Sequence, residues 1–336
     1  MRVQQSKAPP GSSAAPSRVI VRASTDFLLR GLAEGIRTYG SLRRAIFLNA
    51  IVAANVAHLN RSSTQAWRYA GEGDIPPDSE RRPINTNSLA ASLGVSPETA
   101  RRHVKGLVAD RLCAMSAGGV IVPTAVLASD AVLRSDEVHW HSFWRMIDDL
   151  RAIGFDFKVM TGQPDIGPEL IVEPGWALVG NEGPPKRLVS RIVLGFYLQA
   201  IVGASLPFNG DWLSCAVFAA IMSANSEEIA RDSDAAWRYA HADTPPPDTA
   251  RRGATVLGAA RRLGVPYETV RRHVRSLIAQ GRIERTEGGL LASMTYMQSS
   301  PSRRSATEMT KAFYRMIASL DALSVDIGPD TMRTSA

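Results

Sequence analysis

The chain has 336 residues, a net charge of +7 and an apolar fraction of 45%. That length has room for two domains, and the composition is that of a globular protein rather than a disordered or fibrous one. Two cysteines, Cys113 and Cys215, exclude a disulfide framework or a cysteine-rich metal cluster and favour a reducing compartment.

Residues 1–24 are rich in Ser, Ala and Pro and carry Arg2, Lys7, Arg18 and Arg22 with no acid. They lack the apolar core of a signal peptide, and a disordered basic arm is expected. Helices are expected near 25–37, 41–59 and 63–70, the last capped by Ser63, with Asp232 as the cap of the similar helix later in the chain. Pro76-Pro77-Asp78 ends that helix and holds an extended path. A long helix over 135–153 follows further on, with Phe143, Met146, Ile147 and Leu150 on one stripe. Residues 158–189 contain Pro164, Pro168, Pro174, Pro184 and Pro185 and are expected to be a linker, with short strands at Leu170–Val172 and Trp176–Val179. The runs 189–206 and 212–224 are apolar but fall short of the ~20 residues that span a bilayer, so buried helices are expected.

The chain then repeats itself at an offset of 170. Ala66-Trp67-Arg68-Tyr69-Ala70 returns as Ala236-Trp237-Arg238-Tyr239-Ala240, and Arg101-Arg102-His103-Val104 as Arg271-Arg272-His273-Val274. From Ala66 to Leu107, 21 of 42 positions are identical without a gap, which is a tandem duplication. The register extends outward to Asn55/Asn225 and Arg145-Met146-Ile147/Arg315-Met316-Ile317. The domains expected are therefore 25–157 and 190–328, with a tail at 329–336.

Within each repeat one stretch carries the chemistry. Leu89–Leu93 is a short helix ended by Gly94, where a left-handed residue is needed. Ser96 caps the next helix and Pro97 suits its first position. Ala100, Val104, Leu107 and Val108 fall on a core stripe, leaving Glu98, Arg101, Arg102 and Lys105 outside. Leu112–Ser116, Gly118-Gly119 and Val120–Val122 form a two-stranded hairpin. The second repeat has the same plan through Leu263-Gly264-Val265, Tyr267-Glu268-Thr269 and Arg271-Arg272-His273-Val274-Arg275, but Pro266 replaces the capping Ser96. From Arg251 to Arg285 it carries nine arginines against Glu268 and Glu284.

These segments resemble the winged helix-turn-helix of bacterial transcription regulators. The resemblance implies a mainly α chain of two tandem winged helix-turn-helix domains, each with added helices and a small β-wing, related by internal duplication. It implies a sequence-specific, double-stranded DNA-binding regulator that reads two related half-sites as a pseudo-dimer. The residues expected at DNA are Ser96, Pro97, Glu98, Thr99, Arg101, Arg102, His103 and Lys105, then Tyr267, Glu268, Thr269, Arg271, Arg272, His273 and Arg275. Arginine can pair with guanine edges or grip phosphate. Arg81, Arg82, Arg251 and Arg252 are further candidates for phosphate contact. A plasmid-type replication initiator and a protein-docking winged-helix scaffold are the alternative readings.

Trp67-Arg68-Tyr69 is expected to pack on the core. His139-Trp140-His141 has strand spacing for two ligands but lies on a helix, where the pair diverges. No phosphate-binding Gly-Lys-Ser/Thr loop, nucleophile elbow or His-Glu-x-x-His motif occurs, so neither catalytic residue, metal nor cofactor is expected. The expected location is cytoplasmic and nucleoid-associated. Beyond DNA, the expected partners are a second copy of the chain through the long helices and RNA polymerase, with no membrane.

Overall fold

The computed structural model describes residues 15–157, 172–173 and 185–327. These are mainly helical, with four short strands among them. In order come α1 (Ser17–Tyr39), α2 (Leu42–Val56), α3 (Ser63–Arg68), α4 (Thr86–Leu93), α5 (Pro97–Ala109), β1 (Ala114–Ser116), β2 (Gly119–Ile121), α6 (Thr124–Leu127) and α7 (Asp130–Ala152). Then follow α8 (Lys186–Ser205), α9 (Trp212–Asn225), α10 (Glu227–Arg231), α11 (Ser233–Arg238), α12 (Val256–Leu263), α13 (Tyr267–Ala279), β3 (Ile283–Thr286), β4 (Gly289–Ala292), α14 (Met294–Met297) and α15 (Ser300–Ala322).

Three expectations are corrected. Ser17–Ser24 is not part of a disordered arm but the start of α1, with Val19, Ile20 and Ser24 buried. The apolar stripe runs from Val19 and Ile20 through Ser24 to Phe27 and Leu28, and small polar residues hid its period from composition. Lys186–Val189 belongs to α8 and not to the linker. Ser62, not Ser63, caps α3, accepting from the Gln65 amide at 3.3 Å. Residues 1–14, the tail from 328 and most of the linker with its expected strands lie outside the described residues, and Val172 is not in a strand.

Lys186–Phe208 is long and apolar enough to cross a bilayer by length and composition alone. It exceeds the run expected from sequence. Leu188, Val189, Val193, Phe196, Tyr197, Ala200 and Ile201 on it are buried, and Arg187 and Arg191 donate to protein carbonyl groups. The apolar positions on that face are therefore covered by protein.

The chain divides into two compact units, each holding sequence from both repeats. One unit, around α12 and α13, contains the described parts of Met1–Ala33, Ser142–Phe157 and Gly203–Phe313. Here Arg18 donates to the Ala242 carbonyl, and the Trp237 indole donates to Ile153 O at 2.6 Å. Phe155 packs against Trp237 and edge-on to Phe313. The other unit, around α4 and α5, contains the described parts of Glu34–His141, Lys158–Val202 and Tyr314–Ala336. There Arg187 donates to Glu72 O at 2.6 Å, and Lys186 meets Glu72 and Glu137.

Each hairpin is a two-stranded antiparallel pair. Met115 faces Val120 in the first and Arg285 faces Leu290 in the second. A single bridge adds the segment before α4 or α12: Ile84 to Val120 and Ala254 to Leu290. Gly119 permits this approach, because a Cβ there would overlap the Ile84 carbonyl. Behind each hairpin sits a buried asparagine. Asn55 Nδ2 donates to Arg82 O and Val120 O at 2.9 and 3.1 Å, and its Oδ1 accepts from the Val122 amide at 2.9 Å. Asn225 does the same with Arg252 O, Leu290 O and the Ala292 amide. One side chain thus ties two backbone segments, the bridge segment and the second hairpin strand, to the helix that carries it.

Candidate nucleic-acid interface

Asn85 Oδ1 accepts from the Ser88 amide at 2.8 Å and starts α4, and Gly94, at φ 64° and ψ 32°, ends it. The turn leads directly into α5, where Ser96 Oγ accepts from the Thr99 amide at 3.2 Å and donates to Thr99 Oγ1 at 2.9 Å. Ala100, Val104 and Leu107 are buried, whereas Val108, expected in the core, is half-buried. Ser96, Pro97, Glu98, Arg101, Arg102 and Lys105 are exposed together, and Thr99 is half-buried. Arg101 pairs with Glu98 at 3.1 Å. Among the described residues no acid lies within 4 Å of Arg102 or Lys105.

The second arrangement has the same order. Thr255 caps α12 through the Gly258 amide at 2.9 Å, and Gly264 ends it at φ 64° and ψ 29°. Pro266 offers no side-chain cap, yet α13 begins at Tyr267, the position that matches Pro97 at the start of α5. Val270, Val274 and Leu277 are buried. Tyr267, Glu268, Arg272 and Arg275 are exposed, while Thr269 and Arg271 are half-buried. Arg271 pairs with Glu268 at 2.8 Å, and Arg272 and Arg275 have no acid within 4 Å among the described residues.

Four expected contacts are placed elsewhere. His103 stacks on Phe47 of α2, ring centroids 4.7 Å apart, with Nε2 buried and without a hydrogen-bond partner. Burial pushes its pKa down, helped by Arg43 and Arg102. His273 turns onto α9, its Nδ1 2.8 Å from Ser214 Oγ, and Ser214 in turn donates to Asp211 at 2.7 Å. Both histidines sit one position before a core valine, and α2 or α9 closes over them. Arg81 and Arg251 are also internal. The Arg81 side chain is 0% exposed and donates to Pro76 O at 2.9 Å. Arg251 spans Asp248 and the Ala292 carbonyl. Their neighbours Arg82 and Arg252 are exposed.

Sequence reasoning used Asn55 and Asn225 only as register marks, although a lone asparagine amid Ala-Ile-Val-Ala-Ala and Val was itself a signal of a buried polar tie. It also passed over Arg282, whose guanidinium lies 4.3 Å from the Phe208 ring centroid and 4.7 Å from that of Tyr296, and donates to Pro207 O. Electrostatically, α5 and α13 each present free cations beside an acid-paired arginine. Such a face attracts polyanions and is screened by salt.

Comparison with protein-family models, curated proteins and solved structures gave no match.

Proposed function

We propose that this chain is a sequence-specific, double-stranded DNA-binding transcription regulator. In this reading it is built of two tandem winged helix-turn-helix modules related by duplication. The observation that carries it is the pair Arg102/Lys105, exposed and without an acidic partner among the described residues, recurring at the same offset as Arg272/Arg275. Each pair follows a glycine-ended helix and precedes a hairpin. In this reading α5 and α13 enter major grooves and Arg101, Arg102, Lys105, Arg271, Arg272 and Arg275 meet bases and phosphates. Ser96, Thr99 and Thr269 assist at phosphates. The protein performs no catalysis and uses no metal or cofactor, and it works in the cytoplasm on the nucleoid.

Because Lys105 stands against Arg275 and Pro97 against Tyr267, the two half-sites are related but unequal. Selection of bound duplexes from a random library, at near-physiological salt, should enrich two such half-sites at one spacing. Enrichment of no sequence, with weak salt-sensitive retention alone, overturns the reading.

A further inference from the structure

Within the unit around α4 and α5 lies a cleft of about 270 Å³, lined by His58, Gln65, Arg68, Tyr69, Arg81 and Arg82 among others. Glu80 is the one acid on its wall. Arg68, Arg81 and Arg82 against Glu80 and the Asp78 that pairs with Arg81 leave the cleft with a positive potential. Two of its polar groups are already stripped of water. The Arg81 side chain is fully buried; its Nε lies 3.4 Å from Asp78 Oδ1 and its Nη2 donates to Pro76 O, but its Nη1 has no hydrogen-bond partner. His58 is 9% exposed, and its Nδ1 is equally buried and unpartnered.

Leaving one such group unsatisfied costs about 1–3 kcal/mol, so two in one cleft call for a reason. The fold does not impose them. At the matching place in the second repeat, Arg251 commits Nη1 to Asp248 and Nη2 to the Ala292 carbonyl. Where His58 stands, that repeat has Glu228. The first repeat therefore leaves one arginine nitrogen and one histidine nitrogen unpartnered where its sister pairs the arginine nitrogen and carries a glutamate.

We infer that this cleft binds a small organic anion, a carboxylate or phosphate monoester carried on an apolar body. Arg68 and Arg82 hold the charged end, with Arg81 behind them, and the body lies against Tyr69. Guanidinium groups suit planar, bidentate capture of such anions. The cleft also connects to the hairpin. The Arg82 amide donates to Asn55 O, its carbonyl accepts from Asn55 Nδ2, and Asn55 Oδ1 holds the Val122 amide. Three residues after Arg82, Asn85 caps α4. An anion on Arg82 acts on that junction, which makes it an effector. The regulatory consequence rests on the DNA-binding reading, whereas the binding itself does not.

The test is calorimetric titration of the full chain, without DNA, with benzoate, phenyl phosphate and inorganic phosphate. Benzoate or phenyl phosphate should bind at one site. The R68A/R82A variant and His58→Glu, which installs the sister repeat's residue, should each weaken it about tenfold or more. Saturable binding that both variants retain at full strength overturns the inference. So does no binding of any probe combined with R82A weakening all DNA uniformly, which would assign these arginines to the DNA backbone. With the selected duplex, the bound probe should change DNA affinity at least about threefold, and not in His58→Glu. An unchanged affinity overturns the effector role. A failed library selection leaves the calorimetric result standing, so the two readings fail separately.

Discussion

Arg22 donates to the carbonyl oxygen of Tyr239 at 3.1 Å across 217 residues of sequence. Its second nitrogen takes Ala236 O at 2.9 Å. Arg191 holds Tyr69 O and Ala66 O in the other unit, so the first helix of each repeat fastens the Trp-Arg-Tyr helix of the other. The helix α11 or α3 ends there, and its last carbonyls need donors.

Removing either clamp should be costly. Burial lowers the Arg22 pKa to about 10, so the group remains charged at neutral pH. R22M or R191M strands two carbonyls and should lower stability by about 2–5 kcal/mol, given ~1.5–3 kcal/mol per charge-assisted bond. Urea denaturation at pH 7 checks this, and a loss within about 0.5 kcal/mol, the range of ordinary surface changes, would contradict the clamp.

Asn55→Ala should destabilise by about 2–4 kcal/mol, because it leaves the Val122 amide and the Arg82 carbonyl without partners and removes one of the two donors to the Val120 carbonyl. Asn55→Asp should be worse at neutral pH, since it sets an oxygen against two carbonyl oxygens. That variant should recover on acidification, as the carboxyl takes up a proton and donates again. A deficit of Asn55→Asp against the parent that is the same at pH 5 and pH 8 would refute the geometry.

Glu98→Ala and Glu268→Ala test the proposed DNA-facing surface without touching a cation. Each removes an acid from the exposed face and frees Arg101 or Arg271. Stability should hold within about 1 kcal/mol, as for exposed ion pairs. Non-specific duplex affinity should rise several-fold and become steeper in salt. An affinity that falls, measured by fluorescence anisotropy, would place these faces away from DNA.

Acid should weaken the fold through His58 and His103. Burial holds both pKa values below the ordinary 6.5. The unfolded chain therefore binds protons first, so stability present above pH 6.5 is lost as pH falls through the folded values. The His58→Gln/His103→Gln variant should show a smaller drop in urea midpoint from pH 7 to pH 5 than the parent. An identical drop would mean these rings are not held neutral.

Local features were legible because they depend on neighbours in sequence. Gly94, Ser96 and Pro97 specify the turn and start of α5, and Pro266 foretells the missing side-chain cap of α13. The core stripe of Ala100, Val104 and Leu107 follows from helical period. The direction of a side chain that lies between stripe and surface does not. His103 and His273 turn inward only because α2 and α9 cover them, and Arg81 and Arg251 only because neighbouring backbone and an acid three residues earlier offer carbonyl and carboxylate groups. The start of α1 was hidden for a similar reason. Arg18 and Arg22 looked like solvated arm residues because their partners, Ala236, Tyr239 and Ala242, lie more than 200 positions away.

The traded helices also decide what a broken chain would do. A backbone cut between residues 157 and 185 would produce two fragments, yet each compact unit would still contain pieces of both. Neither fragment could leave without dismantling two cores at once. Conversely, a transcript truncated after the first repeat would encode a Trp-Arg-Tyr helix with no arginine to close it, and an α1 with nothing to close upon. The gene is in this sense indivisible, although its sequence is written as two related halves.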